Sequence, residues 1–374
     1  MIVTDYNHKV ERLYRGPIHL IPDRNSNYDL DSDNCYGLVP EQDSANEIRH
    51  NYYMKGVFID PFPEPHQRGL VGFDLRVGNI IAKNDRVIDD VTEKDLFNMK
   101  HTLLESGQEY IFEPNADGDN VYYVTSFEKI RIASNLEMLI DSKSTTGRIG
   151  CLSHLAGKTS QQELITIIQP YTFPIKIRSG ISSLSQAIFR YINSPHLTTQ
   201  EILENNQITF FGNSSLQELL TTQGISMKFD TTIAYKSKPF NSDMAPIDVD
   251  AKNLDWKEYF TLIEGDSYID TDKKTLYLLG SEGIIELRAV CGLLSRERGV
   301  LTGTGAWSHL AGIIQPFWKG GITMEFYSHE KRRIRKGSAA GYVIFDKIEG
   351  DVKQKQEGSY HNQKPPQPPK MFIT

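Results

Sequence analysis

The sequence predicts a mainly β protein built as two related halves, and three observations carry that expectation. Apolar runs alternate with polar residues at period two, as in Val71-Gly-Phe-Asp-Leu-Arg-Val-Gly78, where Val71, Phe73, Leu75 and Val77 share one face. The pentapeptide Ser-His-Leu-Ala-Gly occurs twice, at 153–157 and 308–312, each time shortly after an Arg/Gly turn. Helical spacing is concentrated in one stretch between the copies, around TTQEILEN and SLQELLTT within 197–224.

The first seventy residues are rich in Asn, Asp, Pro and Tyr and read as short strands and loops with no legible function. The strand at 71–78 then presents Asp74 and Arg76 on its polar face, where structural pairing is a simpler role for them than catalysis. Further strands follow in YIFEP, NVYYVTSFEKIRI and LEMLI, separated by the turn formers NADGDN and ASN. Asp141-Ser-Lys-Ser-Thr-Thr-Gly-Arg-Ile-Gly150 closes the run with hydroxyls, backbone donors and two cations. Such a turn suits a polyphosphate or a developing oxyanion, although Ser/Thr/Gly clusters are commonly plain loops and no Walker loop is present.

After each pentapeptide comes a strand, a basic stretch, a Gly turn and another strand: ELITIIQPYTFPIKIRSGISSLSQAIF in the first half and GITMEFYSHEKRRIRKGSAAGYVIF in the second. Duplication therefore gives a double domain: an N-terminal repeat over 1–196, a helical connector over 197–224, a C-terminal repeat over 225–353 and a flexible tail over 354–374. The tail is rich in Lys, Gln and Pro, a composition that favours mobility or a proline-rich docking segment.

Composition excludes several classes. With 374 residues, 39% hydrophobic and 24% charged, the chain has a soluble globular balance and room for two cores. No run reaches the length of a membrane span, and MIVTDYNHKVERLYRG lacks an apolar signal region, so a cytoplasmic protein without a membrane partner is expected. A net charge of −7 argues against a nucleic-acid polymer as partner, and the basic KRRIRK run at 331–336 reads as a solvated strand face. Cys35, Cys151 and Cys291 are isolated and cannot build a CxxC zinc site.

Chemistry concentrates in the second half. Gly321-Ile-Thr-Met-Glu-Phe-Tyr327 places Glu325 in the middle of a strand, just after the aromatic turn 316–321 that contains Phe317 and Trp318. The competing reading is an edge-strand glutamate pointing to solvent. The halves differ where a site would lie: the KSTTGR turn is intact only in the first, and Ile167 falls close to the position that Glu325 takes in the second. The second Arg/Gly turn, Ser295 to Arg298, is spaced differently from its pentapeptide and reads as a vestige. Packing the first turn against the Glu325 strand, within one chain or between neighbouring chains, would complete one site from complementary remnants.

Taken together, SKSTTGRIG, SHLAG, PFWKGGITMEFYS, the Asp-Leu-Arg strand and the tail segment Ser359-Tyr-His-Asn-Gln363 resemble the dCTP deaminase family, relatives of the trimeric dUTPases, in a double-length branch. The resemblance implies two tandem dUTPase-like distorted β-barrel (jelly-roll-like) domains. It implies zinc-independent deamination of dCTP, with Mg²⁺ accompanying the triphosphate and a homo-oligomer, a trimer by family habit, in which dTTP is a possible inhibitor. Glu325 matches the family's general base, Ser144 and Arg148 the residues that orient the attacking water, and Ala311 the position whose backbone helps bind it. Substrate contacts are expected from Lys143, Thr145, Phe317 and Trp318, and further from Tyr327, Tyr360 and Gln363. Gln315 and Ser359 replace an Asp and a Lys of single-domain members, so phosphate or sugar contacts are expected to differ. A dUTPase, or a bifunctional enzyme releasing dUMP, is the alternative, and an inactive nucleotide-binding relative a third.

Overall fold

Two curled sheets follow one plan in each half of the chain. The computed structural model describes residues 2–3, 52–54 and 57–373, apart from 62, 68, 70, 89, 115–119, 193, 205–206, 223, 242, 296–305, 308, 350–359 and 365. Ser308, Arg298 and Ser359, singled out above, therefore lie outside the described residues, as does most of 1–56.

In the N-terminal half, β1 (Gly72–Asn84), β2 (Val121–Ile132), β3 (Leu136–Ser142), β4 (Cys151–Lys158), β5 (Glu163–Pro170) and β6 (Ser183–Tyr191) are the main strands. One helix, α1 (Glu93–Asn98), starts on a Thr92 capping box, and a single turn, α2 (Ser144–Gly147), follows β3. Pairing is antiparallel throughout: β2 lies between β1 and β5, and β6 lies between β1 and β3. The C-terminal half repeats this map with β7 (Gly224–Ser237), β8 (Thr275–Ser281), β9 (Val290–Ser295), β10 (Thr323–Ser328) and β11 (Ala339–Glu349). There β8 lies between β7 and β10, and β11 lies between β7 and β9.

The repeat extends to single hydrogen bonds. Ser126 Oγ accepts from the Leu164 N–H at 2.9 Å, and Ser281 Oγ accepts from the Ile322 N–H at 2.8 Å. Counting three residues on from each matched bond places Ile167 where the second half has Glu325. Ile167 is fully buried in an apolar cluster with Ala156, Val91 and Leu96, so that position in the first half is filled by packing.

The halves share a core. Phe112, Phe173, Ile175 and Leu184 from the first pack with Phe260, Leu276, Leu278 and Tyr327 from the second, and Tyr171 meets Tyr327 with ring centroids 4.8 Å apart. The stretch 197–224 is only partly helical: α3 (Thr199–Glu204) and α4 (Leu216–Leu219) flank a strand, Ile208–Phe211, which pairs with Ile284–Leu287. Leu197, Ile202, Ile208 and Leu219 enter the C-terminal core, because an amphipathic connector lowers its free energy by burying its apolar side.

From Tyr360 the chain runs over the cavity and ends as β12 (Phe372–Ile373), which pairs in parallel with Leu254–Asp255. Met371 and Phe372 are buried in the shared core, Phe372 against Tyr259 and Phe260.

Candidate active site

Glu325 is 2% exposed, in a strand that is covered on both sides by β8 and by Ala306–Trp307. It is not an edge-strand glutamate facing solvent. Its Oε2 accepts from the backbone N–H of Leu310 at 3.1 Å, with the Ala311 N–H at 3.5 Å, so the second pentapeptide wraps the carboxylate. Burial raises its pKa to about 7, against the lowering influence of Arg148 and of these two amides.

The complementary turn arrives from the N-terminal half. Gly147 ends α2, and an added β-carbon there would meet the Ala311 side chain at 2.9 Å, the Ala311 N at 3.1 Å and the Glu325 Cδ at 3.4 Å. Only a residue without a side chain permits that approach. Arg148 follows, buried, and burial lowers its pKa from the usual guanidinium range. Its Nη2 donates to Gln363 Oε1 at 3.0 Å and its Nη1 to the Gln367 carbonyl at 3.1 Å, while its guanidinium lies 3.7 Å from the centroid of the Tyr360 ring. The Arg148 Nε has no protein partner.

A cavity of about 220 Å³ opens between these groups, with Ser144, Thr145, Arg148, Ala311 and Glu325 in its wall. Lys143 and Asp74 line it as an ion pair, Nζ to Oδ2 2.6 Å, in which burial raises the Asp74 pKa and Lys143 opposes the rise. Gln315 and Trp318 line it too, and Gln315 Oε1 and Trp318 Nε1 are buried without partners there. Polar groups left in that state favour a ligand that satisfies them.

The tail forms the cover. Tyr360 shares a hydrogen bond of 3.0 Å with Thr145, and Gln363 donates from Nε2 to the Gly321 carbonyl at 2.6 Å. Both residues line the cavity.

Two expected substrate contacts lie elsewhere. Tyr327 shares the alternate face of β10 with Glu325, but it is fully buried in the shared core beyond the cavity, against Tyr171. Phe317 adopts a left-handed φ of 58° and does not line the cavity. Conversely, Asp74 belongs to the cavity although its strand pattern suggested a purely structural pair. Its neighbour Arg76 does pair structurally, with the buried Glu128 across β1 and β2 at 2.8 Å. The basic run at 331–336 is a strand face whose cations meet acids: Arg333 pairs with Asp270 at 2.7 Å and Lys336 with Asp230 at 3.4 Å. Among the described residues, no group of three His, Cys, Asp or Glu side chains is placed to hold a metal ion. Nor is any described helix long and apolar enough to cross a membrane.

Fold and site together define a mainly β protein with a cavity lined by residues from both halves. Residues 42–192 match the family model described as dCTP deaminase-like. Among solved structures, the 2′-deoxycytidine 5′-triphosphate deaminase of Agrobacterium tumefaciens is similar over 80% of this chain and 95% of its own, with a TM-score of 0.67. At 20% identity that likeness is one of fold. No curated protein sequence matches the chain.

Proposed function

We propose that the cavity binds dCTP and that Glu325 drives its hydrolytic deamination to dUTP and ammonia. The observation that carries this reading is a buried glutamate with a pKa of about 7, facing a cavity beside the Ser144–Arg148 turn. A carboxylate poised there can take a proton and return it near neutral pH. Glu325 would remove a proton from water as the oxygen attacks C4 of cytosine, pass it to N3, and then relay the second water proton to the leaving amino group. One C–O bond forms, one C–N bond breaks, and no electrons are exchanged. Ser144 and Arg148 would hold the water in line, with the Ala311 backbone as a further partner.

Lys143 and Thr145 are positioned for the phosphate or sugar end, and Tyr360 and Gln363 for closing over it. Magnesium would travel with the triphosphate, held mainly by phosphate oxygens because no described acidic cluster offers a cage. In this reading no zinc takes part. A homo-oligomer, with dTTP as a competing nucleotide, belongs to the same reading.

The test is to incubate the purified full-length protein with dCTP and Mg²⁺ and separate the products by ion exchange. The expected result is dUTP with ammonia released one for one. Unchanged dCTP would overturn the reading, and dUMP would favour the bifunctional alternative.

A further inference from the structure

The carboxylate at the end of β3 reaches across the boundary between the halves. Asp141 Oδ2 accepts from the Gly312 N–H at 2.7 Å, while its Oδ1 accepts from the adjacent Ser142 N–H at 2.8 Å. Gly312 is a glycine where one is needed, since an added β-carbon would stand 3.1 Å from Asp141 Oδ2 and 3.0 Å from the Leu294 carbonyl. The turn from His309 to Gly312 is thus fastened from two sides. Strand β9 holds both its ends: the Leu294 N–H donates to the Gly312 carbonyl at 2.7 Å, and the His309 Nε2 meets the Leu294 carbonyl at 3.1 Å. Asp141 fastens it from the other half. Between those anchors lie Leu310 and Ala311, the two residues whose amides face Glu325 Oε2.

We propose that Asp141 is a positioning residue for Glu325, holding the Leu310–Ala311 amides against its carboxylate from the opposite half of the chain and placing a negative charge behind it. The role rests on the reading of Glu325 as the general base. Other charged or titratable groups around Glu325 are Arg148, which stabilises its ionised form, the Asp74–Lys143 pair and Tyr360 in the same cavity, and His309 on the fastened turn. On the packed side, its partner in β8 is Leu278, which carries no charge. Asp141 raises the Glu325 pKa electrostatically, so removing only its charge lowers that pKa and extends ionised Glu325 to lower pH.

Two variants separate charge from anchorage. Asp141→Asn keeps an acceptor for the Gly312 N–H but loses the charge and the acceptor for the Ser142 N–H, whereas Asp141→Ala loses all three. In full-length protein, Asp141→Asn is expected to retain kcat at the optimum while the acid limb of its kcat/KM profile moves to lower pH. Asp141→Ala is expected to lose about 10²-fold in kcat, the scale of a small misplacement of reacting groups, with KM much less affected. A purely structural Asp141 would lower thermal stability and leave the acid limb in place, which overturns the proposal. A second readout does not depend on turnover: ¹³C NMR titration of the Glu325 carboxyl, assigned with Glu325→Gln, in wild type and in Asp141→Asn. A downward shift supports the proposal and an unmoved titration overturns it. If wild type leaves dCTP unchanged, the proposed activity fails on its own and this titration still decides the role of Asp141.

Discussion

Gly147, from the N-terminal half, lies so close to Ala311, from the C-terminal half, that a β-carbon on it would come within 2.9 Å of the Ala311 side chain. The same added carbon would stand 3.4 Å from Glu325 Cδ. The two halves of the site therefore meet through a contact that tolerates no side chain. Gly147→Ala is expected to push the Leu310–Ala311 turn away from Glu325 and to lower kcat by about 10²-fold, while overpacking costs about 1–3 kcal/mol of stability. Steady-state kinetics with dCTP and a thermal melt check both figures, and a wild-type kcat in the folded variant would contradict the contact.

Glu325→Gln keeps the shape of the side chain and one acceptor but cannot take a proton. Deamination is expected to fall by about 10²–10⁴-fold with dCTP binding retained, measured by product assay and calorimetry. In wild type the activity should rise with pH through about 7 as Glu325 ionises. Stability should run the other way. A carboxyl whose pKa is raised from 4.5 to about 7 on folding favours the folded state fully below 4.5 and loses that contribution as pH climbs through 7. At pH 8 the neutral glutamine should therefore stabilise the protein relative to wild type, by about 3 kcal/mol at most, with the difference shrinking toward pH 5. Equal melting behaviour of the two proteins across that range would contradict the raised pKa.

Much of this site was legible because its parts are local motifs. The strand pattern around Glu325, the hydroxyl-rich turn at 144–148, the duplicated pentapeptide and the Tyr360 to Gln363 segment are each readable within ten residues. What escaped the sequence is what packing decides. Period two puts Tyr327 and Glu325 on one face, yet it cannot say that the cavity ends between them and that Tyr327 continues into the core shared with Tyr171. Asp141 lies inside a motif that drew attention, but its 2.7 Å bond to Gly312 depends on how the halves dock. Helical spacing at 197–224 falls on the short helices α3 and α4, while the intervening strand forms because Ile284–Leu287 offers it an edge.

The tail is tied down beyond the site as well as over it. Phe372 packs on Tyr259 and Phe260, so truncating it should loosen the cover that Tyr360 and Gln363 form. Phe372→Ala is expected to cost about 3–5 kcal/mol of stability and to raise the KM for dCTP, and Tyr360→Ala, which removes the ring against Arg148 and the hydroxyl bonded to Thr145, should raise KM as well as lower stability. Melting curves paired with KM measurements separate the two effects. A Tyr360→Ala enzyme with an unaltered KM would remove the tail from the substrate's surroundings.

Cation dependence should follow the substrate. Activity is expected to disappear when Mg²⁺ is chelated with EDTA and to return on adding Mg²⁺, while a zinc-selective chelator leaves it unchanged. Zinc found at one equivalent per chain by metal analysis, with activity tracking its removal, would contradict the proposed chemistry.

One chain supplies both halves of the site, with Arg148 and Glu325 facing the same cavity. Mixing tests it most directly: Arg148→Ala and Glu325→Ala chains are combined under conditions that allow subunit exchange, and dCTP deamination is followed beside wild type. Each variant alone and their mixture should all be inactive, because no chain in the mixture carries both residues. Activity returning on mixing would mean that the site forms between chains, and the single-chain account would be wrong.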